Sequence, residues 1–396
     1  MKEIEISKPL LTESERTLSY SARISLPWSR PFDLWFTFPR NYASYVTRTA
    51  DSFLLACFYL GMNLKIPIRV HGAISEGLLE NLSKFQKLWQ QWCPGRYEEV
   101  EIFAVQVVKA QGARKSKAII AFSGGVDSSF SAFYHKKIAA EPERIDIEAA
   151  LMVHGFDIPL GDTEAFDRAF HKAKQSLNSL GVEAIPLVTN LRQLPMLWVD
   201  IFAAATASCL SVFGGQFSQG VIASSMLENV ETLPYGSSQY ADPLLSSKEF
   251  SIIHDGVKFD RVEKLKYLAQ WPEGIRNLRV CYQGPVRDKN CGYCEKCIRT
   301  ILCLKVLDIQ IPCFGNWDIP SEVIKKLKPR KTVVRSVYTT VLNIADKKGI
   351  REPWVEAVRT LVYRRAHIER HPLTRFTPEI KLFLKKLYLQ LIVPCL

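Results

Sequence analysis

A doubly wound α/β sheet, preceded by an α+β unit and followed by a basic helical segment, is the fold class that three features of the sequence predict. Between residues 118 and 224, short apolar runs alternate with helix-length segments, the order that builds a parallel sheet with helices on both faces. Residues 14–39 instead alternate polar and apolar residues with period two, the pattern of half-buried strands. The third feature is charge. Residues 321–396 carry 17 Lys+Arg against 6 Asp+Glu, so they hold nearly all of the net +12 of this 396-residue chain.

Three domains follow, at 1–112, 118–315 and 320–396, in line with typical domain sizes. In the first, strands are expected within 17–26 and 34–38, a helix over 51–61, a short strand at 67–70, an amphipathic helix over 76–92 and a strand at 100–108. The helix over 76–92 is read from Leu79, Leu82, Phe85 and Leu88 at three-residue steps. The polar run 111–117 reads as a linker. In the second domain the uninterrupted apolar run 118–122 suits a strand buried on both faces. A helix at about 128–139, strand 149–153, helix 163–180, strand 183–188, helix 198–213, strand 220–224 and helices over 260–271 and 294–308 complete it. The last domain reads as helical, broken at Pro329, Pro353, Pro372 and Pro378.

The longest uncharged stretch, 201–227, has the length of a membrane span, yet glycine, serine and glutamine fill its second half. It reads as a buried helix, a glycine turn and a strand, with no membrane span. The N-terminus has no apolar signal region, and ten cysteines are too sparse for a disulfide scaffold, so reduced thiols and a cytoplasmic location are expected.

Ser123, Gly124, Gly125, Val126, Asp127 and Ser128 stand between the first buried strand and its helix. Paired glycines allow a sharp turn and close backbone approach, and amide N–H groups at a helix N-terminus attract phosphate. The two serines add hydroxyl donors, and Asp127 can hold Mg²⁺ or orient the loop. This is neither a Walker A sequence nor a dinucleotide fingerprint, because the lysine and the third glycine are missing. Downstream, Cys281, Cys291, Cys294 and Cys297 have the spacing Cys-x₉-Cys-x₂-Cys-x₂-Cys, suited to a tetrahedral Zn²⁺ site. An iron–sulfur cluster also takes four cysteines. Lys289, Lys296 and Arg299 would offset the thiolate charge.

The string Ser-Gly-Gly-x-Asp-Ser resembles the PP-loop of the N-type ATP pyrophosphatases, whose fold is that of the adenine-nucleotide alpha hydrolases. Together with the four cysteines it resembles the QueC-like, 7-cyano-7-deazaguanine synthase branch over roughly residues 118–308. The resemblance implies ATP and Mg²⁺ at Ser123, Gly124, Gly125, Asp127 and Ser128, and zinc at the four cysteines. It implies adenylation of a carboxylate such as 7-carboxy-7-deazaguanine, pyrophosphate release and transfer to a nitrogen nucleophile. Housekeeping members lack the N-terminal 110 residues and the basic segment, and their substrate region corresponds to Tyr240-Ala241-Asp242-Pro243 here. Members with extra domains occur in antiphage defence operons, and the resemblance there implies an amine on a partner protein as acceptor.

Other positions sit where chemistry is expected. His154 and Asp157 close the second strand and are read as nucleotide contacts or as ordinary turn residues; Arg192 follows the third strand and can fork onto an anion. Arg261 and Lys264, three apart on a helix, can face one way and stabilise charge on departing phosphates, or form a surface ladder with Asp260 and Glu263. Tyr235-Gly236-Ser237-Ser238 reads as a substrate loop. The basic C-terminal segment reads as helices presenting charge to an acidic protein partner, with tRNA as the other acceptor, or as a solvated face. Two rival functions stand beside the ligase reading: a tRNA-thiolating enzyme, and a non-catalytic nucleotide-binding subunit.

Overall fold

The computed structural model describes residues 2–109, 117–227, 234–281, 283–315, 317–328 and 332–364. The chain opens with β1 (Ile4–Ile6), β2 (Leu10–Glu13), β3 (Thr17–Ser25) and β4 (Phe32–Pro39), then α1 (Asp51–Leu64), β5 (Ile68–Ser75), α2 (Glu76–Trp92) and β6 (Ile102–Val108). The alternating half consists of β7 (Ala118–Ala121), α3 (Val126–Phe133), β8 (Ile147–His154), α4 (Thr163–Ser179), β9 (Glu183–Thr189), α5 (Trp198–Ser211), β10 (Gln219–Ala223) and β11 (Ser251–Asp255). Helices α6 (Arg261–Leu268), α7 (Pro272–Arg276), α8 (Glu295–Leu307), α9 (Ser321–Lys326), α10 (Thr332–Lys347) and α11 (Pro353–Arg364) follow. The sequence reading has no counterpart for β1, β2, β11 or α7, and its helix over 260–271 corresponds to the shorter α6.

These strands form one mostly parallel sheet in the order β11-β10-β7-β8-β9-β4-β3-β1-β5-β6, with β2 beside β3. The two halves meet where β4 runs antiparallel to β9, pairing Phe36 with Thr189 and Thr37 with Val188. Of the expected linker, residues 111–116 lie outside the described residues, while Lys117 pairs with Glu148. The five strands β11-β10-β7-β8-β9 are all mutually parallel. Their order reverses between β7 and β10, so the chain leaves β7 at a topological switch point, where open α/β sheets bind ligands.

Burial explains the layers. In β7, Ile119 packs into the core under α1 and α5, while Ala118 and Ile120 pack into the core under α3 and α4. That double burial is why the run carries no polar residue. Helix α2 buries Leu78, Leu82, Phe85 and Trp89, a stripe shifted by one residue at each end from the expected Leu79 and Leu88. On the opposite side of the sheet, α6, α8, α10 and α11 share one core that includes Leu265, Ile298, Ile301, Tyr338, Val341, Val355 and Leu361. The described part of the basic C-terminal segment is therefore docked through apolar faces. Phe383, Leu384, Leu387, Tyr388, Leu391 and Ile392, which recur at helical spacing in the sequence of this segment, lie outside the described residues. Among the described residues, no helix is long and apolar enough to cross a membrane.

Candidate functional site

The glycine loop connects β7 to α3. Gly124 has φ +73, a left-handed conformation that disfavours any side chain, and Gly125 precedes the first helical turn in an extended conformation. Within the loop, Gly125 N donates to Ser123 Oγ at 3.3 Å, and Ser123 N donates to Ser128 Oγ at 3.3 Å. Val126, the first residue of α3, is buried in the core, so its side chain only fixes the helix. The N-terminal N–H groups of α3 lack intrahelical partners, as at every helix start, and the loop brings them to the switch point.

Asp127 gathers the cations. Its Oδ1 lies 3.2 Å from Lys264 Nζ and its Oδ2 3.4 Å from Arg261 Nη1. Burial pushes the Asp127 carboxyl upward, but Lys264 and Arg261 outweigh it and hold the group below the usual carboxylate range. Arg261 and Lys264 thus face one way, as their spacing implies. The surface ladder with Asp260 and Glu263 does not form, because those two carboxylates cap α6. Asp260 Oδ1 accepts from Val262 N at 2.7 Å and Glu263 N at 2.8 Å, and Glu263 Oε2 accepts from Asp260 N at 2.7 Å. Lys264 Nζ also donates to Ser224 O, 2.5 Å away at the end of β10, and Arg261 Nη2 to Thr300 Oγ1 at 3.0 Å. Asp127, Arg261 and Lys264 line a cleft whose far wall is α10, through Ser336, Val337 and Thr340.

Positive charge here exceeds what Asp127 balances. Burial pulls Arg261, Arg279 and Lys296 below their usual basic range, against the opposing pull of nearby carboxylates. The Nε atoms of Arg261 and Arg279 are buried without a hydrogen-bond partner. Arg261 and Arg279 thus each hold a buried donor that an anion would satisfy.

Cys281, Cys291, Cys294 and Cys297 come together, with all four sulfurs within 4.8 Å of one another. Two Sγ–Sγ separations are 3.8 and 3.9 Å. A tetrahedron with metal–sulfur bonds of roughly 2.3 Å has edges of about 3.8 Å, so the cluster could hold a metal ion such as zinc. Disulfides are excluded at those separations. Gly292, at φ +78, makes the turn between the second and third cysteines. Cys294 N donates to Cys291 Sγ at 3.3 Å and Gly284 N to Cys281 Sγ at 3.2 Å, and Asn290 Oδ1 accepts from Val280 N and Cys281 N. These contacts orient the sulfurs around their common centre.

The cysteine cluster and the glycine loop are mechanically joined. Arg279, two residues before Cys281, donates its backbone N–H to Gly124 O at 2.7 Å and its Nη2 to Ser123 O at 3.1 Å. Cys294 directly precedes α8, the helix that carries Lys296, Arg299 and Thr300 toward Arg261. The cysteine loop is also tied to α4, because Asp288 pairs with Arg168 at 3.1 Å and Lys172 at 3.5 Å.

The remaining expected residues lie apart from this cluster or at its margin. His154 is buried, donates from Nε2 to Pro159 O at 2.8 Å, and stacks on Phe166 with centroids 4.6 Å apart. Its ring thus serves its own turn. Asp157 stands 3.9 Å from Arg279 and so borders the loop. Arg192 lies over Trp198 at 4.4 Å and donates to Phe156 O, bracing the 155–157 turn. In the 235–245 segment, Asp242 Oδ2 is 2.7 Å from His254 Nδ1 and accepts from Ser237 Oγ at 2.6 Å. Sequence reasoning singled out neither this buried Asp–His pair nor Arg279. An arginine just ahead of the first ligand cysteine is the only local signal for the latter.

Comparison of the chain with protein-family models, curated proteins and solved structures finds no match.

Proposed function

We propose that the chain is an ATP-dependent ligase or synthase that adenylates a carboxylate, releases pyrophosphate and passes the acyl group to a nitrogen nucleophile. The observation that carries this reading is the placement of Asp127, Arg261 and Lys264 at the first turn of α3, beside a glycine loop at the switch point. ATP fits the donor set: the loop amides and the surplus buried cations match a polyphosphate. In this reading the helix N-terminus orients the nucleotide, and Arg261 and Lys264 neutralise charge on the departing pyrophosphate. Asp127 is the carboxylate placed to meet a Mg²⁺ carried by the phosphates; bound there, that ion would polarise the phosphoryl oxygens. The four cysteines would hold zinc as a brace.

The resemblance to the 7-cyano-7-deazaguanine synthases supports 7-carboxy-7-deazaguanine as the acid, and the extra segments support a protein amine in antiphage defence as acceptor. The thiolation alternative needs a nucleophilic thiolate. Among the described cysteines outside the cluster, burial pushes Cys57, Cys303 and Cys313 up to about 12, and Cys93 and Cys209 are also raised. That distribution favours ligation over sulfur transfer.

The test is product analysis with ATP, 7-carboxy-7-deazaguanine and ammonium. AMP and pyrophosphate are expected, with pyrophosphate release abolished in D127A and S128A proteins of unchanged circular dichroism. ADP and orthophosphate would overturn the class. For the acceptor, binding of tRNA and of any operon-encoded partner across a salt series separates the two, with the partner protein expected to bind.

A further inference from the structure

We infer that β6 is a self-complementary edge through which two copies of this chain pair, joining their sheets across a twofold axis at Val105. The inference is independent of the proposed chemistry. Among the described residues, β6 ends the sheet, with β5 as its one neighbour there. Edge strands in monomeric proteins are usually interrupted by proline, an inward lysine or a bulge. Ile102–Val108 reads IFAVQVV, with none of these. Its register irregularity against β5 lies on the β5 side, between Val70 and Ala73, and leaves β6 regular.

The two faces of β6 differ. Ile102 and Ala104 pack against the core beneath α2. Phe103, Val105 and Val107 project to the other side and are 37%, 66% and 47% exposed. Arg69 covers part of Phe103, at 5.1 Å from the ring centre. Three exposed apolar side chains in a row on an edge strand form a contiguous patch of the kind that marks an association site.

Backbone direction and charge then select the register. Ile68 N donates to Glu101 O, so the odd-numbered residues turn their N–H and C=O groups toward β5 and the even-numbered ones turn theirs outward. An antiparallel copy must therefore match even with even as hydrogen-bonded pairs. Centring on Val105 pairs Ile102 with Val108 and Ala104 with Gln106. The odd residues become the non-hydrogen-bonded pairs, whose side chains approach most closely. They place Phe103 against Val107 and Glu101 against Lys109, each pair made twice by symmetry, and Val105 once against its own copy on the axis. A shift of one residue either way sets Glu101 against Val107 or Lys109 against Phe103, stranding a charge on the apolar row. Glu101 is exposed, and the side chain of Lys109 is 81% exposed, 3.9 Å from Glu76, so both can reach a second chain.

The experiment is sedimentation velocity on the full chain over a wide concentration range. The wild type is expected to form a reversible dimer, and V105K, which buries a charge on the axis, to sediment as monomer. E101K and K109E should each weaken the dimer roughly tenfold, since two ion pairs become like-charge contacts. An equimolar mixture of E101K and K109E protein should recover wild-type affinity, because every cross-strand contact is then between opposite charges. Wild-type protein that stays monomeric, or a mixture that associates no better than either variant alone, would overturn the inference. These positions are on the surface, so circular dichroism should be unchanged in all variants.

Discussion

Lys264 Nζ lies 3.2 Å from Asp127 Oδ1 and 2.5 Å from Ser224 O, so one buried ammonium ties the start of α3 to the end of β10 across the switch point. Removing it in K264M leaves Asp127 with Arg261 alone. We expect a stability loss of about 2–3 kcal/mol, at or below the range for breaking a fully buried pair, because Asp127 is 21% exposed. Urea denaturation measures the loss. Under the proposed chemistry, pyrophosphate release should fall at the same time by more than a hundredfold, roughly the cost of one charge-stabilising donor. Stability equal to wild type would show that the contact carries no net energy.

The link from Arg279 to Gly124 and Ser123 makes the cysteine cluster a brace for the loop. About one zinc per chain is expected by elemental analysis. Chelation, or C294S, should speed hydrogen exchange at the amides of residues 124–128 before global unfolding. Iron with acid-labile sulfide would replace zinc by a cluster and revive the thiolation reading. Unchanged exchange after metal loss would separate the two sites mechanically.

What the sequence made legible was local. Ser123–Ser128 and the four cysteines announce themselves within a few residues, and the i, i+3 spacing of Arg261 and Lys264 already put both on one face. Their partner Asp127 stands 134 residues before Arg261, a distance at which spacing says nothing. The β4–β9 pairing is equally hidden, because strand patterns show which residues are buried but not which neighbour they find. β11 was missed because its SIIHD string carries His254 and Asp255, two polar groups that are accommodated by Asp242 on one side and His135 on the other.

That second pair gives a pH prediction. Burial pushes Asp255 upward, but the hydrogen bond and charge of His135 outweigh it and hold the carboxyl below its ordinary 3.8. His135 Nε2 lies 3.0 Å from Asp255 Oδ1, while its Nδ1 accepts from Ile145 N. A depressed folded-state value means that the ionised carboxylate stabilises the fold fully above the unfolded value and loses this effect as pH falls through the folded one. D255N keeps an acceptor but not the charge, so it should cost about 1 kcal/mol at neutral pH. The gap between wild type and D255N in urea titrations should be flat down to about pH 5 and close below about pH 4. A gap that widens on acidification would contradict the assignment.

The last prediction concerns the C-terminal helices. Tyr338 of α10 is fully buried, and its hydroxyl donates to Glu295 Oε1 at 2.9 Å, on the first turn of α8. The same turn follows Cys294 and carries Lys296 toward Arg261, so α10 holds α8 against the cleft it also walls. Y338F keeps the ring and removes the donor, leaving Glu295 with Arg299 at 3.5 Å. A loss of about 1–2 kcal/mol is expected, the scale of a hydrogen bond to a charged acceptor. Ending the chain before Thr332 removes much more. It exposes the core faces that Tyr338, Val341, Leu342, Val355, Val358 and Leu361 cover, and the truncated protein should aggregate or unfold at ambient temperature. Scanning calorimetry on both proteins checks this order. A truncated chain as stable as the full one would show that these helices rest on the domain without holding it.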